Sequence, residues 1–100
     1  MVKHVILWKL KDDLDGQSKE ETAQNIKNNL EALVGKVPGL IRAQVNINPL
    51  PSSNADVMLD SELENEEALK AYQTHPEHVK VADTFVRPYA EIRMCMDYEV

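Results

Sequence analysis

The sequence predicts one α+β domain of the ferredoxin-like type, with a four-stranded antiparallel sheet that carries its helices on one face. Four segments alternate apolar and polar residues as strands do, and two segments repeat apolar residues at helical spacing. Their order along the chain is βαββαβ, which is the ferredoxin-like order. One hundred residues suffice for one such two-layer core. We therefore expect a single domain over residues 1–100.

The first half of the chain contains a strand and a helix. The strand is predicted over Val2–Leu10, and the face expected to pack under the helices consists of Val2, His4, Ile6, Trp8 and Leu10. Ser18 and Glu21 have the spacing of a capping box, so a helix should begin there. Gly35 and Pro38-Gly39 should end it. Its expected core-facing residues are Ile26, Leu30, Leu33, Val34 and Val37.

Two further strands and a broken helix follow. The expected core faces of the strands are Ile41, Ala43, Val45 and Ile47 in the second and Val57, Leu59, Ser61 and Leu63 in the third. The second helix should begin near Asn65 or Glu66 and break at His75, because Pro76 fits only the first turn of a new helical segment. The alternation near the C-terminus predicts a fourth strand, with its core face formed by Ile92, Met94, Met96 and Tyr98.

The second face of the predicted sheet carries both apolar and charged side chains. The expected apolar members are Val5, Leu7, Leu40, Met58 and Cys95. The expected charged members are Lys9, Arg42, Asp60, Glu62, Arg93 and Asp97. A second copy of the chain could cover the apolar part while the charges pair at the edges, so we expect a homodimer.

Charge and cysteine content narrow the classes of protein. The chain has 17 acidic and 11 basic residues and a net charge of −6, which argues against nucleic acid or an anionic membrane as its partner. The lone Cys95 argues against an intrachain disulfide and a cysteine-based zinc site. No apolar stretch approaches the roughly 18 residues of a membrane-spanning helix. Strand-like alternation begins at Val2, so we expect no signal peptide and a cytoplasmic protein.

The segment Tyr72-Gln73-Thr74-His75-Pro76-Glu77-His78 is the strongest candidate for a functional site. Imidazole titrates near neutral pH, and a phenol donates a hydrogen bond without carrying charge, so the cluster suits proton transfer. The break at Pro76 places His78 in the first turn of a helical segment, whose positive end should keep the imidazole neutral. Tyr72 and His78 could meet His4 of the first strand between the helices and the sheet. The expected lining of this pocket is Ile6, Trp8, Leu69 and His75.

Other interpretations of these residues stay open on the sequence alone. Tyr72 and His78 could be hydrogen-bonded residues at the edge of the core, with His75 simply exposed. His75, His78 and His4 could hold a divalent ion, although no carboxylate clearly converges on them and the backbone before Pro76 is constrained. The serines and Cys95 lack a recognisable base beside them, and the three glycines form no phosphate-binding loop. We therefore predict no metal and no cofactor.

Several of these features together resemble the stress-responsive A/B barrel family, known as Dabb, of the dimeric α+β barrel superfamily. They are the opening Val2-Lys3-His4-Val5, Pro38-Gly39, Leu69-x-x-Tyr72, His75-Pro76-x-His78 and Asp97-Tyr98. The resemblance covers essentially the whole chain. It implies a ferredoxin-like protomer and a homodimer in which two sheets close into a barrel.

The resemblance implies less about activity. Members of the family include stress-induced plant proteins and a plant polyketide cyclase that performs an aldol condensation without a cofactor. The tyrosine and second histidine that act in that cyclase match Tyr72 and His78, and the strand-one histidine that lines its cavity matches His4. The chain departs from the cyclase at Val57, where the cyclase carries another pocket histidine.

Two descriptions of the function follow from the residues and the resemblance. The first is a homodimer that binds a small apolar or carbonyl-containing ligand or has a stress-related role. The second is a cofactor-free cyclase or isomerase in which His78 is the general base, Tyr72 stabilises the oxyanion and His4 assists. A haem- or metal-using enzyme is a third class, because other branches of the superfamily use that chemistry.

Overall fold

A computed structural model describes residues 1–100 and shows the predicted architecture. The strands are β1 (Val2–Leu10), β2 (Leu40–Asn46), β3 (Val57–Leu63) and β4 (Ala90–Glu99). The helices are α1 (Lys19–Glu31), α2 (Glu66–Thr74) and α3 (Pro76–Val81), and a π-helical segment, Ala82–Val86, follows α3 directly. All strand pairs are antiparallel, in the order β2-β3-β1-β4. The ferredoxin-like order is therefore confirmed.

The helix boundaries follow from local capping. The side chain of Ser18 accepts a hydrogen bond from the backbone N–H of Glu21 at the start of α1. Asn65 does the same for Ala68 at the start of α2. His75 ends α2 and caps α3, because its Nδ1 accepts from the backbone N–H of Glu77. The predicted break at His75-Pro76 is thus confirmed. α1 ends at Glu31, earlier than expected, and Val34 beyond it is exposed.

The core lies between the helices and one face of the sheet. Its β1 contribution is the predicted set Val2, His4, Ile6, Trp8 and Leu10. In β2, Leu40 faces the core rather than the opposite face, and Ile41 is 43% exposed rather than buried. The cause is a register shift between Leu40 and Arg42, which inserts one extra residue and reverses the alternation on its two sides.

The face assignment of β4 is reversed relative to the prediction. Trp8 lies opposite Arg93, Ile6 opposite Cys95 and His4 opposite Asp97. Directly paired residues share a face of the sheet, so this polar set lies on the helix side. The predicted core residues of β4 instead join Val5 and Leu7 on the outer face. There Ile92, Met94, Met96 and Tyr98 are exposed in the single chain.

The outer face is thereby divided into a charged and an apolar part. On β1, β2 and β3 the ammonium nitrogen of Lys3 lies 2.7 Å from a carboxylate oxygen of Asp60, and Arg42 contacts the same carboxylate at 3.3 Å. The outer side of β4 carries Ile92, Met94, Met96 and Tyr98, and Val5 and Leu7 of β1 adjoin them, with Lys3 and Lys9 at the two ends of this apolar part. The mixed face that the sequence predicts is present, but its apolar part is larger than expected.

Candidate functional site

The cavity that contains the predicted site lies between the sheet and the second helical region, and its volume is about 220 Å³. β1 contributes His4, Ile6 and Trp8, α2 contributes Tyr72 and α3 contributes His78. Three catalytic candidates and two pocket candidates named from the sequence thus share one cavity. The π-helical segment contributes apolar wall residues, and π-helical turns occur frequently at functional sites.

Two predicted pocket residues are not among those that line this cavity. Leu69 is buried in the core and lines a neighbouring groove between α2 and the end of β4. His75 is occupied as the cap of α3, with its Nδ1 3.1 Å from the backbone nitrogen of Glu77. Both residues therefore support the elements that carry Tyr72 and His78.

Tyr72 lies between the two histidines. Its ring centroid is 4.3 Å from that of His78, with the planes tilted by 44°. The centroid of the His4 ring lies 6.0 Å away on the edge of Tyr72, at 70°. Tyr72 and His4 are each 1% exposed, whereas His78 is partly buried. The three rings form one continuous aromatic cluster along the cavity.

The hydrogen bonding of His78 fixes which ring nitrogen carries the proton. Nδ1 lies 3.2 Å from the backbone carbonyl oxygen of Gln73. A carbonyl oxygen only accepts, so Nδ1 must donate, and the neutral ring has its lone pair on Nε2. This bond is possible because α2 ends between Gln73 and His78, and the chain reverses through His75-Pro76.

Burial is the main reason that the pKa of His78 lies below its ordinary value of 6.5. The positive charges of Arg87 and Arg93 lower the pKa further, and the bond to Gln73 acts in the opposite direction. The direction agrees with the expectation of a neutral His78. The cause differs, because the expectation relied on the helix end. At neutral pH the unprotonated Nε2 can accept a proton.

Burial raises the pKa of Tyr72 to about 12. The phenol therefore keeps its proton at neutral pH and can donate a hydrogen bond to an oxygen atom in the cavity. A neutral base and a protonated donor in contact are the two groups that general acid–base catalysis requires.

The sequence did not predict the partner of His4. Its Nδ1 faces the carboxylate of Asp97 on β4, which is close enough for a charge-assisted hydrogen bond. Cys95 lies beside this pair, with its sulfur 3.4 Å from a carboxylate oxygen of Asp97. Burial and the bond to Asp97 raise the pKa of Cys95, so the thiol stays protonated at neutral pH. Asp97 was missed because the alternation of apolar residues in β4 placed it on the face of the sheet away from the helices.

These same residues are the ones that could hold a metal ion. Ligand atoms of His4, Cys95 and Asp97 all lie within 4.8 Å of one another. Ligand atoms of the alternative set, His75, His78 and His4, do not converge in this way, and Nδ1 of His75 is occupied as a helix cap. In the structure His4, Cys95 and Asp97 are joined by hydrogen bonds.

The fold and the site together define an α+β barrel protomer with a His–Tyr–His cavity. The family model of the Stress Responsive A/B Barrel Domain, Dabb, matches residues 2–100. The protein belongs to the Dabb family. A relative from Arabidopsis thaliana, a stress-response A/B barrel domain-containing protein, is 30% identical over 99 residues. That match covers 98% of this chain but only 36% of the Arabidopsis protein, so the chain spans about a third of that relative's length.

Solved structures show the same fold. A dimeric protein with a ferredoxin-like fold from Bacteroides fragilis is 35% identical, with a TM-score of 0.89 over 99% of this chain and 95% of that one. A dimeric ferredoxin-like protein from Thermobifida fusca is 20% identical, with a TM-score of 0.82 over 99% and 90% of the two chains. Both relatives are described as dimeric.

In the present chain no helix has the length and apolar character needed to cross a membrane.

Proposed function

We propose that the protein is a homodimer that binds a small carbonyl compound in the cavity formed by His4, Tyr72 and His78. The observation that carries this proposal is the combination of a 220 Å³ cavity, apolar walls and two polar groups held side by side. The walls would receive the apolar part of the ligand. The hydroxyl of Tyr72 would donate to its carbonyl oxygen. The family description points to stress, but the geometry of the site supports ligand binding more directly.

Dimerisation is supported by the outer face of the sheet. The exposed fractions there are 67% for Met94, 65% for Met96 and 51% for Ile92. Contiguous apolar surface of this kind marks an interaction site in a protein that is otherwise strongly charged. A second copy of the same face would cover it, and two solved relatives are described as dimeric.

A second candidate function is cofactor-free proton transfer on the bound ligand. Nε2 of His78 would take a proton from the carbon next to the carbonyl group, and the electron pair of the broken C–H bond would move to the carbonyl oxygen. The Tyr72 hydroxyl would stabilise the resulting enolate oxygen. The observation that favours this chemistry is the protonation pattern of the two groups, a neutral imidazole with a free Nε2 beside a protonated phenol.

The binding proposal can be tested with methyl 4-oxo-4-phenylbutanoate, a neutral ketone with an apolar ring. Its binding would be followed by calorimetry and by NMR shifts of the cavity residues. We expect saturable binding that weakens in Tyr72→Phe and is unchanged in Tyr89→Phe, which removes a hydroxyl outside the cavity. Binding that is equal in Tyr72→Phe and the wild type, or shift changes remote from the cavity, would contradict the proposal.

Proton transfer on the bound ketone is tested separately from binding. Exchange of the hydrogens next to the ketone can be followed by NMR in deuterated water. We expect wild-type protein to accelerate the exchange and His78→Ala to reduce the rate at least about a hundredfold, the usual contribution of a general base. Binding without accelerated exchange would leave a binding protein and exclude the catalytic candidate for this class of ligand.

A further inference from the structure

The charges around the cavity differ from those of the chain as a whole. The protein has 17 acidic and 11 basic residues. Yet the residues that line the cavity include two arginines, Arg87 and Arg93, and no aspartate or glutamate. The cavity is thus a positively charged region in a protein of net charge −6.

Neither guanidinium group is held by a buried carboxylate. Arg87 pairs with Asp83 one helical turn earlier, but both side chains are more than half exposed, at 59% and 58%. An exposed pair of this kind contributes little and exchanges readily for another anion. Arg93 lies on the helix side of β4 opposite Trp8, and none of the ion pairs of the protein includes it.

A carboxylate beside the cavity wall, that of Asp97, is already engaged. Asp97 pairs with Nδ1 of His4 and accepts from the thiol of Cys95. It lies outside the cavity lining. The positive charges of Arg87 and Arg93 both act on His78, which places them within electrostatic range of the proposed base. The charges that face the cavity are therefore the two guanidinium groups.

We propose that the ligand of the cavity carries a carboxylate as well as a carbonyl group, and that Arg93 and Arg87 bind this carboxylate. This inference rests on the proposed function and names the class of ligand for the same site. A guanidinium binds a carboxylate through two parallel hydrogen bonds, which gives orientation as well as affinity. With its carboxylate at the arginines, an oxo acid presents its ketone towards Tyr72 and His78.

The arrangement has a consequence for His78. A bound carboxylate offsets the positive charges that disfavour imidazolium, so the ligand strengthens the base that would act on it. A neutral ketone of the same shape lacks this effect. The oxo acid should therefore raise the pKa of His78, whereas its ester should not.

The test compares 4-oxo-4-phenylbutanoate with its methyl ester, which differ in charge and share the ketone and the ring. Calorimetry on wild-type protein should show the acid binding about tenfold more tightly than the ester. Arg93→Gln should abolish most of this preference, because it weakens binding of the acid much more than binding of the ester. Lys80→Gln removes one positive charge from the exposed face of α3, outside the cavity, and should preserve the preference. Arg87→Gln is a second test if Arg93→Gln does not fold.

The outcomes separate the two proposals. If the ester binds in the cavity and the acid binds no more tightly, the carboxylate inference is overturned and the proposed function stands. A preference for the acid that survives in both arginine variants also overturns the inference. If neither compound binds, the proposed function and the inference both fail.

Discussion

The ring of Tyr72 lies against the ring of His78, with 4.3 Å between the centroids and 44° between the planes. This contact joins two separate helices, because α2 ends at Thr74 and α3 begins at Pro76. A continuous helix would have fixed the two residues six positions apart, on largely different faces. The break at His75-Pro76 is what allows a phenol and an imidazole to face one cavity.

The burial of His78 predicts how stability depends on pH. Its folded-state pKa is depressed below 6.5, so the unfolded state binds the proton more strongly. The contribution to stability is fully present above the unfolded pKa and is lost as the pH falls through the folded value. Thermal melts from pH 8 to pH 5 should show this loss in the wild type and a smaller one in His78→Gln. If the melting temperatures of the two proteins depend equally on pH, His78 is not the group responsible for the loss of stability.

The pairing of His4 with Asp97 predicts a cost for removing the charge. Asp97→Asn keeps the shape of the side chain but loses the charge-assisted bond to a histidine that is 1% exposed. We expect a loss of about 1–3 kcal/mol in the free energy of unfolding. Asp83→Asn breaks the exposed pair with Arg87 and should cost under about 1 kcal/mol. Equal losses from the two substitutions would show that the His4–Asp97 pair contributes no more to stability than an exposed ion pair.

The exposed outer face of β4 predicts a specific way to disrupt assembly. Light scattering should give about twice the chain mass of 11.3 kDa for the wild type. Met94→Asp places a charge in the middle of the apolar part of the face and should shift the mass to that of one chain. Leu50→Asp alters a side chain that is 72% exposed in a loop and should leave the dimer intact. A wild-type monomer would contradict the proposed dimer and the barrel that its two sheets would form.

Leu40 would be an unsuitable position for that experiment. The alternation in β2 places it on the outer face, but the structure buries it to 6% exposure in the core. An aspartate there would damage folding as well as assembly, so loss of the dimer would have no clear cause.

The close approach of Gly39 to α2 predicts a steric effect that can be separated from the cost of its backbone conformation. Its φ is +84°, and an added Cβ would lie 2.6 Å from the Cβ of Ala68 on α2. Gly16 has the same φ of +84° with nothing within 4 Å. Both Gly→Ala variants bear the cost of the left-handed backbone, and only Gly39→Ala also pushes against a helix. We expect Gly39→Ala to be the more destabilising by about 1–3 kcal/mol. Similar melting temperatures would mean that α2 moves to accommodate the methyl group.

The order of strands and helices could be predicted from the sequence because its signals are local. Ser18 caps α1, and Pro76 breaks the second helix. The face of β4 could not be predicted in the same way. Its apolar alternation favours Met94 and Met96 in the core, but those residues lie on a face that we propose is covered by a second chain. A rule that places apolar residues inside a protomer fails when the interior is shared between two chains.

The same misassignment explains what was missed at the site. His4, Tyr72 and His78 could be selected by residue type and spacing, and the structure brings them together. Three further residues at or beside the site could not be selected by spacing. Strand register brings Asp97 and Arg93 there, and the geometry of the helix end brings Arg87. The register that sets Asp97 opposite His4 and Arg93 opposite Trp8 depends on contacts between residues about ninety positions apart. Spacing along the chain carries no information on such contacts.

The most direct test of the central claim is the protonation state of His78, measured by NMR of its two ring nitrogens with and without methyl 4-oxo-4-phenylbutanoate. We expect a neutral ring at pH 7 with the proton on Nδ1, a pKa below 6.5, and a change at Nε2 when the ketone binds. A ring that carries its proton on Nε2, or that titrates above 6.5 and is unaffected by the ketone, would contradict the proposal that His78 faces the ligand as a base.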